Sequence, residues 1–267
     1  MFAPHFFAYA NAPIKILLVP GHDNKVWGAQ YGSLKEADMN LTLATQLFNI
    51  LNKDNRFQVF ITRDKSGYTK EFADYFAKHQ LEIATFKLNA KQAMKDKIAQ
   101  GAFIKKSGAP HHSISEIISL KLYGITKWAD ENKIDAIIHI HFNDYPRKKK
   151  LTIGKYRGFT IYVPDKQMAN AKASTILAKS IFAELHKKYS TSTFKQEKGG
   201  LIPDQKLIAL GANDTLMSTV RSVLIEYGYI YEKKFRTSST RQEAYKTMAE
   251  LTAKGVTKYF YPSQPSP

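Results

Sequence analysis

Two histidines and two carboxylates stand where an α/β chain can gather them around one ion. His22 follows Pro20-Gly21 at the end of an apolar run, and His141 closes the run from Ile134. Glu226 lies near the end of Val223-Leu224-Ile225-Glu226-Tyr227, and Glu36 lies in the first turn of the helix expected after the first run. Ligands of open α/β sheets collect at the carboxyl ends of strands. Two imidazoles and one carboxylate, with a fourth position left for water, make the donor set of a catalytic zinc. A further carboxylate nearby can take a proton from that water and pass it to a leaving amine. Each residue also has a purely structural reading. Glu36 can be the last member of a capping box, Ser33-Leu34-Lys35-Glu36. His22 can be a solvated loop histidine, and either of His139 and His141, which alternate onto one face of a strand, can be a core histidine. Glu226 is harder to read as structural, because a carboxylate set in an apolar run needs a partner.

The elements that must position these groups alternate. Ile14 to Val19 reads as a buried strand stopped by Pro20-Gly21, followed by a helix from Ala37 to Leu51. Phe57 to Thr62, Ile134 to His141, Gly158 to Val163 and Val223 to Tyr227 read as further strands. Helices are expected from Ser113-Ile114-Ser115-Glu116, a second capping box, to about Glu131, over about Lys166 to Tyr189, and over Arg241 to Lys254. Short helices are expected near Asp204 to Leu210 and Asp214 to Thr219, and Val256 to Tyr261 is read as running out of the last helix. The pattern predicts one α/β domain over residues 14–262, a mostly parallel twisted sheet flanked by helices. Residues 65–115 break the alternation as a mainly helical, basic insertion.

Five segments resemble, in order, the zinc-dependent N-acetylmuramoyl-L-alanine amidases of the amidase-3 family. They are Ile16-Leu-Leu-Val-Pro-Gly-His22, Glu36 at the start of the next helix, Val59-Phe-Ile-Thr-Arg63-Asp64, Ile138-His-Ile-His141-Phe-Asn143, and Val223-Leu-Ile-Glu226-Tyr-Gly228-Tyr. Gly158 to Tyr162 and Ala249 to Phe260 resemble that family's middle strand and closing helix. The resemblance implies a Zn2+ cofactor held by His22, Glu36 and His141, and a catalytic Glu226. It implies hydrolysis of the amide between N-acetylmuramic acid and L-alanine of the stem peptide, in a secreted enzyme of the autolysin type. Asn143 is expected to orient a ligand or bind substrate. His139 stands where the family usually has Ser, and is expected either to support a ligand or to compete as one. Tyr229 replaces the usual Phe, and the first loop continues Asp23-Asn24-Lys25 where the family usually has glycines. The insertion has no counterpart in the plain pattern; a lid, an inhibitory helix, a wall-binding element and a structural addition are all open.

Composition narrows the classes further. Among 267 residues, 40 Lys and Arg against 23 Asp and Glu give a net charge of +17, which draws the chain to polyanions. Peptidoglycan is the expected partner. Nucleic acid is not, because no recognised motif and no continuous basic helix is present. The basic run from Arg147 to Lys150 follows the His141 strand and is read either as the cleft's border or as a solvated loop. There are no cysteines, which excludes disulfides, thiolate metal sites and cysteine nucleophiles. No apolar run is long enough to span a membrane. Residues 1–13 carry the small-x-small pattern of a cleavage site without a basic start. They are read as a leader remnant or a frayed terminus, residues 263–267 as a tail, and the compartment as extracytoplasmic.

Overall fold

The computed structural model describes residues 12–107, 114–147, 149 and 151–262. The expected tail and all but the last two residues of the expected leader lie outside these. Among the described residues, ten strands and seven α-helices alternate: β1 (Ile14–Pro20), β2 (Gln30–Tyr31), β3 (Leu34–Lys35), α1 (Glu36–Leu51), β4 (Phe57–Ile61), β5 (Arg63–Asp64), β6 (Gly67–Tyr68), α2 (Lys70–Lys78), α3 (Gln80–Ala99), α4 (Glu116–Glu131), β7 (Ala136–Asn143), β8 (Thr160–Pro164), α5 (Ala171–Leu185), β9 (Leu201–Asp204), β10 (Arg221–Tyr229), α6 (Lys233–Arg236) and α7 (Ser238–Phe260).

Six strands form the central sheet in the order β4-β1-β7-β10-β8-β9. The first four run parallel, β8 runs antiparallel to β10, and β9 runs parallel to β8. The chain moves from β1 to β4 on one side and later returns to place β7 on the other side of β1. Strand order therefore reverses between β1 and β7, and the crevice outside their carboxyl ends is where such sheets bind ligands.

Alternation along β7 divides the core. Ala136, Ile138, Ile140 and Phe142 join the larger cluster with Leu43 and Leu47 of α1, Leu177 and Ile181 of α5, and Met248 of α7. Ile137 joins the smaller cluster with Trp128 of α4 and Phe72 of α2. Successive strand side chains take opposite faces, so His139, His141 and Asn143 share the side of Ile137. The described part of residues 65–115 is mainly helical, through α2 and α3. It packs on α4, with the Phe72 and Trp128 rings 4.7 Å apart.

Four local expectations are corrected. Ser33 caps nothing: Gln30–Tyr31 and Leu34–Lys35 pair as a small hairpin, and α1 begins at Glu36 with Lys35 as its N-cap. Near Asp204 the chain is a strand and then a single 3-10 turn, Ile208–Leu210. Residues 214–219 form turns, with Asn213 and Asp214 at φ of 61° and 58°. Val256 to Phe260 continue α7, because their buried face extends the packing of Ala249 and Ala253. At the second capping box, Ser115 is the N-cap of α4, and its hydroxyl accepts from the Ile118 N–H; Ser113 lies outside the described residues.

At the far end of α4, Asp130 lines a cavity of about 490 Å³ between α3 and residues 213–217, and accepts a hydrogen bond from the Met217 N–H at 3.2 Å. Burial pushes its carboxyl up to about 6. A raised folded value favours the fold only while the group stays protonated, so this contribution is intact below the unfolded value of about 3.9 and lost as pH rises through about 6. Asp130→Asn keeps the acceptor oxygen and removes the charge. It is expected to match the wild type at pH 4 and exceed it by about 1–2 kcal/mol at pH 7, after discounting for partial exposure, in urea melts at both pH values.

Candidate metal centre

Three of the four residues picked from the sequence meet at the crevice between β1 and β7. His22 Nε2 lies 3.0 Å from one oxygen of Glu36, and His141 Nδ1 lies 3.0 Å from the other. One donor atom from each of His22, Glu36 and His141 falls within 4.8 Å of the others, so the three can hold a metal ion. A tetrahedral ion with ligands at about 2.0–2.2 Å spaces them roughly 3.3 Å apart. Each imidazole nitrogen lies within a few tenths of an ångström of that spacing from its Glu36 oxygen, and two imidazoles with one carboxylate are a suitable donor set for a borderline cation.

Local sequence explains how these groups come together. His22 sits in the left-handed region at φ 61°, which turns the chain sharply after Pro20-Gly21. A Cβ on Gly21 would run into the His141 ring, and one on Gly28 would run into Glu36 Oε2 and lie 2.5 Å from the His22 ring. Neither position leaves room for a side chain, and Gly28 also needs its φ of 70°. Gly28→Ala is accordingly expected to abolish metal uptake while the fold stays largely intact. Zinc stoichiometry by mass spectrometry together with circular dichroism checks it; a full equivalent of bound zinc would contradict this account of the loop.

Glu36 is 4% exposed and held from several sides. The Ala29 N–H donates to Oε2 at 2.8 Å, and the Phe142 N–H and Asn40 Nδ2 both donate to Oε1 at 3.3 Å. Burial alone would raise its carboxyl, but hydrogen bonds from His141 and His22 outweigh that and hold it well below the usual range. Burial lowers both histidines; for His22 the hydrogen bond and charge of Glu36 reverse the sign, and for His141 they do not. An ionised carboxylate leaves lone pairs available to a cation, as does the neutral His141 imidazole that burial favours.

Two supporting residues escaped the sequence reading. Asn40, one helical turn after Glu36, also donates to the Gly21 carbonyl at 2.9 Å. Arg63 is buried and donates to the carbonyls of Pro20, Gly21 and Ala37, clamping the first loop to the start of α1. Asn40 was discoverable, since positions i and i+4 share a helix face. Arg63 lies within the motif at residues 59–64, but its partners at Pro20, Gly21 and Ala37 are not local to it.

His139 lies outside the donor group. It is 1% exposed, bonded to the Ala209 backbone, and pushed down to about 3 by burial, with a smaller contribution from His141. Glu226 is the direct neighbour of His141 in the β7–β10 ladder. Its Oε2 is buried with no hydrogen-bond partner among the described residues, and burial plus the charges of Glu36 and Glu197 push its carboxyl well up. Asn143 donates through Nδ2 to Glu197 at 2.8 Å. In the basic run, Arg147 donates to Gln30 O at 2.6 Å and pairs with Asp144, tying the hairpin to the end of β7.

Fold and donor set together define an α/β domain whose switch point can hold a metal ion beside a buried carboxylate, the layout of a hydrolase. The profile of the N-acetylmuramoyl-L-alanine amidases matches residues 16–258, and the chain belongs to that family. Its reaction is hydrolysis of the amide between N-acetylmuramic acid and L-alanine. No curated protein matches the sequence. Among solved structures, the CwlD amidase of Clostridioides difficile in complex with the GerS lipoprotein is 18% identical, with 94% of this chain and 100% of that chain covered and a TM-score of 0.60. The amidase Ami1 of Mycobacterium abscessus is 15% identical over 94% and 100%, at 0.58. AmiC2 of Nostoc punctiforme is 17% identical over 92% and 97%, at 0.55. These likenesses show the fold.

Proposed function

We propose that the chain is a zinc-dependent peptidoglycan amidase in which His22, Glu36 and His141 hold Zn2+ and Glu226 moves the proton. The observation that carries this is the convergence of three donor atoms within 4.8 Å beside a carboxylate oxygen that is buried and unpartnered among the described residues. Bound zinc would supply Lewis-acid polarisation of the scissile carbonyl and a more acidic water. Glu226 takes a proton from the attacking water; its raised proton affinity suits that task. It then returns that proton to the nitrogen of L-alanine as the C–N bond breaks, so that a free amine departs and the lactyl group is left as a carboxylic acid that loses its proton to solvent. Glu36 stays ionised throughout, held by its hydrogen bonds.

The partner is peptidoglycan, and the place of action is outside the cytoplasm. The net charge of +17 favours a wall polymer bearing carboxylates and phosphates. No helix of the described residues is long and apolar enough to cross a membrane. The test is digestion of purified peptidoglycan with product analysis. New L-alanine amino termini that vanish with a chelator and return with zinc are the expected result. Binding without release would mean a non-catalytic wall protein, and peptide cleavage that spares the lactyl amide would mean a peptidase.

A further inference from the structure

We propose that Glu197 is a positioning residue: it locks the Asn143 carboxamide so that its oxygen faces the cleft and accepts an amide N–H of the stem peptide. This rests on the amidase reading above and names a substrate contact within it. Glu197 lies on a single 3-10 turn, Lys195–Glu197, in a polar loop with no periodic signal, and is 2% exposed. Three donors converge on its two oxygens. Asn143 Nδ2 and Tyr162 Oη each reach Oε1 at 2.8 Å, and Tyr229 Oη reaches Oε2 at 3.0 Å. Ser192 Oγ, 3.2 Å from Tyr229 Oη, fixes that tyrosine in turn.

A buried carboxylate is worth its desolvation only where such donors satisfy it. None of the three belongs to the donor group of the metal site, so stability alone would be served as well by apolar side chains. What the carboxylate adds is polarity. Being an acceptor only, it compels Asn143 to present Nδ2 inward, and a planar amide then turns Oδ1 the other way. No donor among the described residues reaches that oxygen. Asn143 shares the face of His141 two residues on, at the mouth of the crevice, and its Cα pairs with Tyr229 across the β7–β10 bulge, three residues past Glu226. The stem peptide offers backbone N–H donors there, beginning with the scissile amide's own neighbour.

Glu197→Gln replaces one acceptor oxygen by an NH2 group. Facing three donors, the new amide must aim N–H at one of them. Asn143 can then relax by rotating its own amide, which puts a donor where the peptide needs an acceptor. KM for a soluble N-acetylmuramoyl peptide is expected to rise about tenfold while kcat changes less than about twofold, since the contact is made equally before and during reaction. Adding Asn143→Asp to that variant should restore KM to within about threefold, because the introduced carboxylate accepts from the introduced amide and still offers an oxygen to the cleft. Calorimetric Kd for the same peptide, measured in Glu226→Gln chains, should move in parallel and does not need turnover. A chain that binds but never hydrolyses would therefore refute the amidase reading while still testing this one. Asn143→Ala alone should raise Kd about as much as Glu197→Gln. Unchanged Kd in Asn143→Ala, unchanged KM in Glu197→Gln, a fall in kcat at constant KM, or failure of the added Asn143→Asp to restore KM would each overturn the assignment.

Discussion

Glu226→Gln is expected to lower kcat by roughly 10²–10⁴-fold, the usual contribution of a positioned acid–base group, with zinc content unchanged and KM within about twofold. The substitution is near-isosteric and removes only the ability to carry a proton. Glu226 makes no hydrogen bond through Oε2 to the described residues, so the glutamine breaks no existing contact there. Loss of the charge beside Glu36 relieves rather than strains the site, because Glu36 and Glu197 both oppose ionisation of Glu226. The fold should therefore tolerate the change, and Tm should hold or rise. The pH profile adds a second criterion. A base must be deprotonated to act, so kcat/KM of the wild type should climb through a value above the ordinary carboxylate range of about 4.3. That acidic limb should disappear in the glutamine variant. Retention of wild-type kcat would remove Glu226 from the chemistry.

Much of this site was legible in the sequence because the fold makes it so. His22, His141 and Glu226 each end a run of apolar, β-branched residues, and in a parallel sheet such ends lie at one edge. Glu36 was legible as a helix start, although Ser33 does not cap that helix. A hairpin at residues 30–35, too short to leave a periodic pattern, shifts the helix start so that Glu36 is its first residue rather than the partner of a capping Ser33. That shift is what aims the carboxylate at both imidazoles. Glu197 and Arg63 were illegible for a different reason. Their partners lie at least 32 and 26 residues away, on strands and loops whose meeting depends on the sheet order. Order across a sheet is a tertiary fact, and nothing local in Thr62-Arg63-Asp64 or Gln196-Glu197-Lys198 encodes it.

The pair His139 and His141 gives the sharpest division between a proposed ligand and a core residue. They are two apart on one strand and share a face, yet one reaches Glu36 and the other ends under Ala209. His141→Ala should reduce zinc affinity by more than the roughly 10–100-fold that losing a ligand's supporting partner costs, and should abolish hydrolysis. His22→Ala should do the same. His139→Ala should leave one zinc per chain and instead destabilise the fold by roughly 2–4 kcal/mol, through the cavity it leaves in the core, while the Ala209 carbonyl keeps its hydrogen bond from Ser222 Oγ. The acid limb of stability separates them as well. A histidine held neutral favours the fold fully above its unfolded value of about 6.5, and that contribution is lost as pH falls from there towards about 3. Removing His139 should therefore cost less stability at pH 4 than at pH 7, at constant metal content. Zinc mass spectrometry and urea melts at the two pH values measure both effects on the same samples. Zinc lost with His139 and kept with His22 would mean that the ion sits one step deeper along β7, with Glu226 on the wrong side of it.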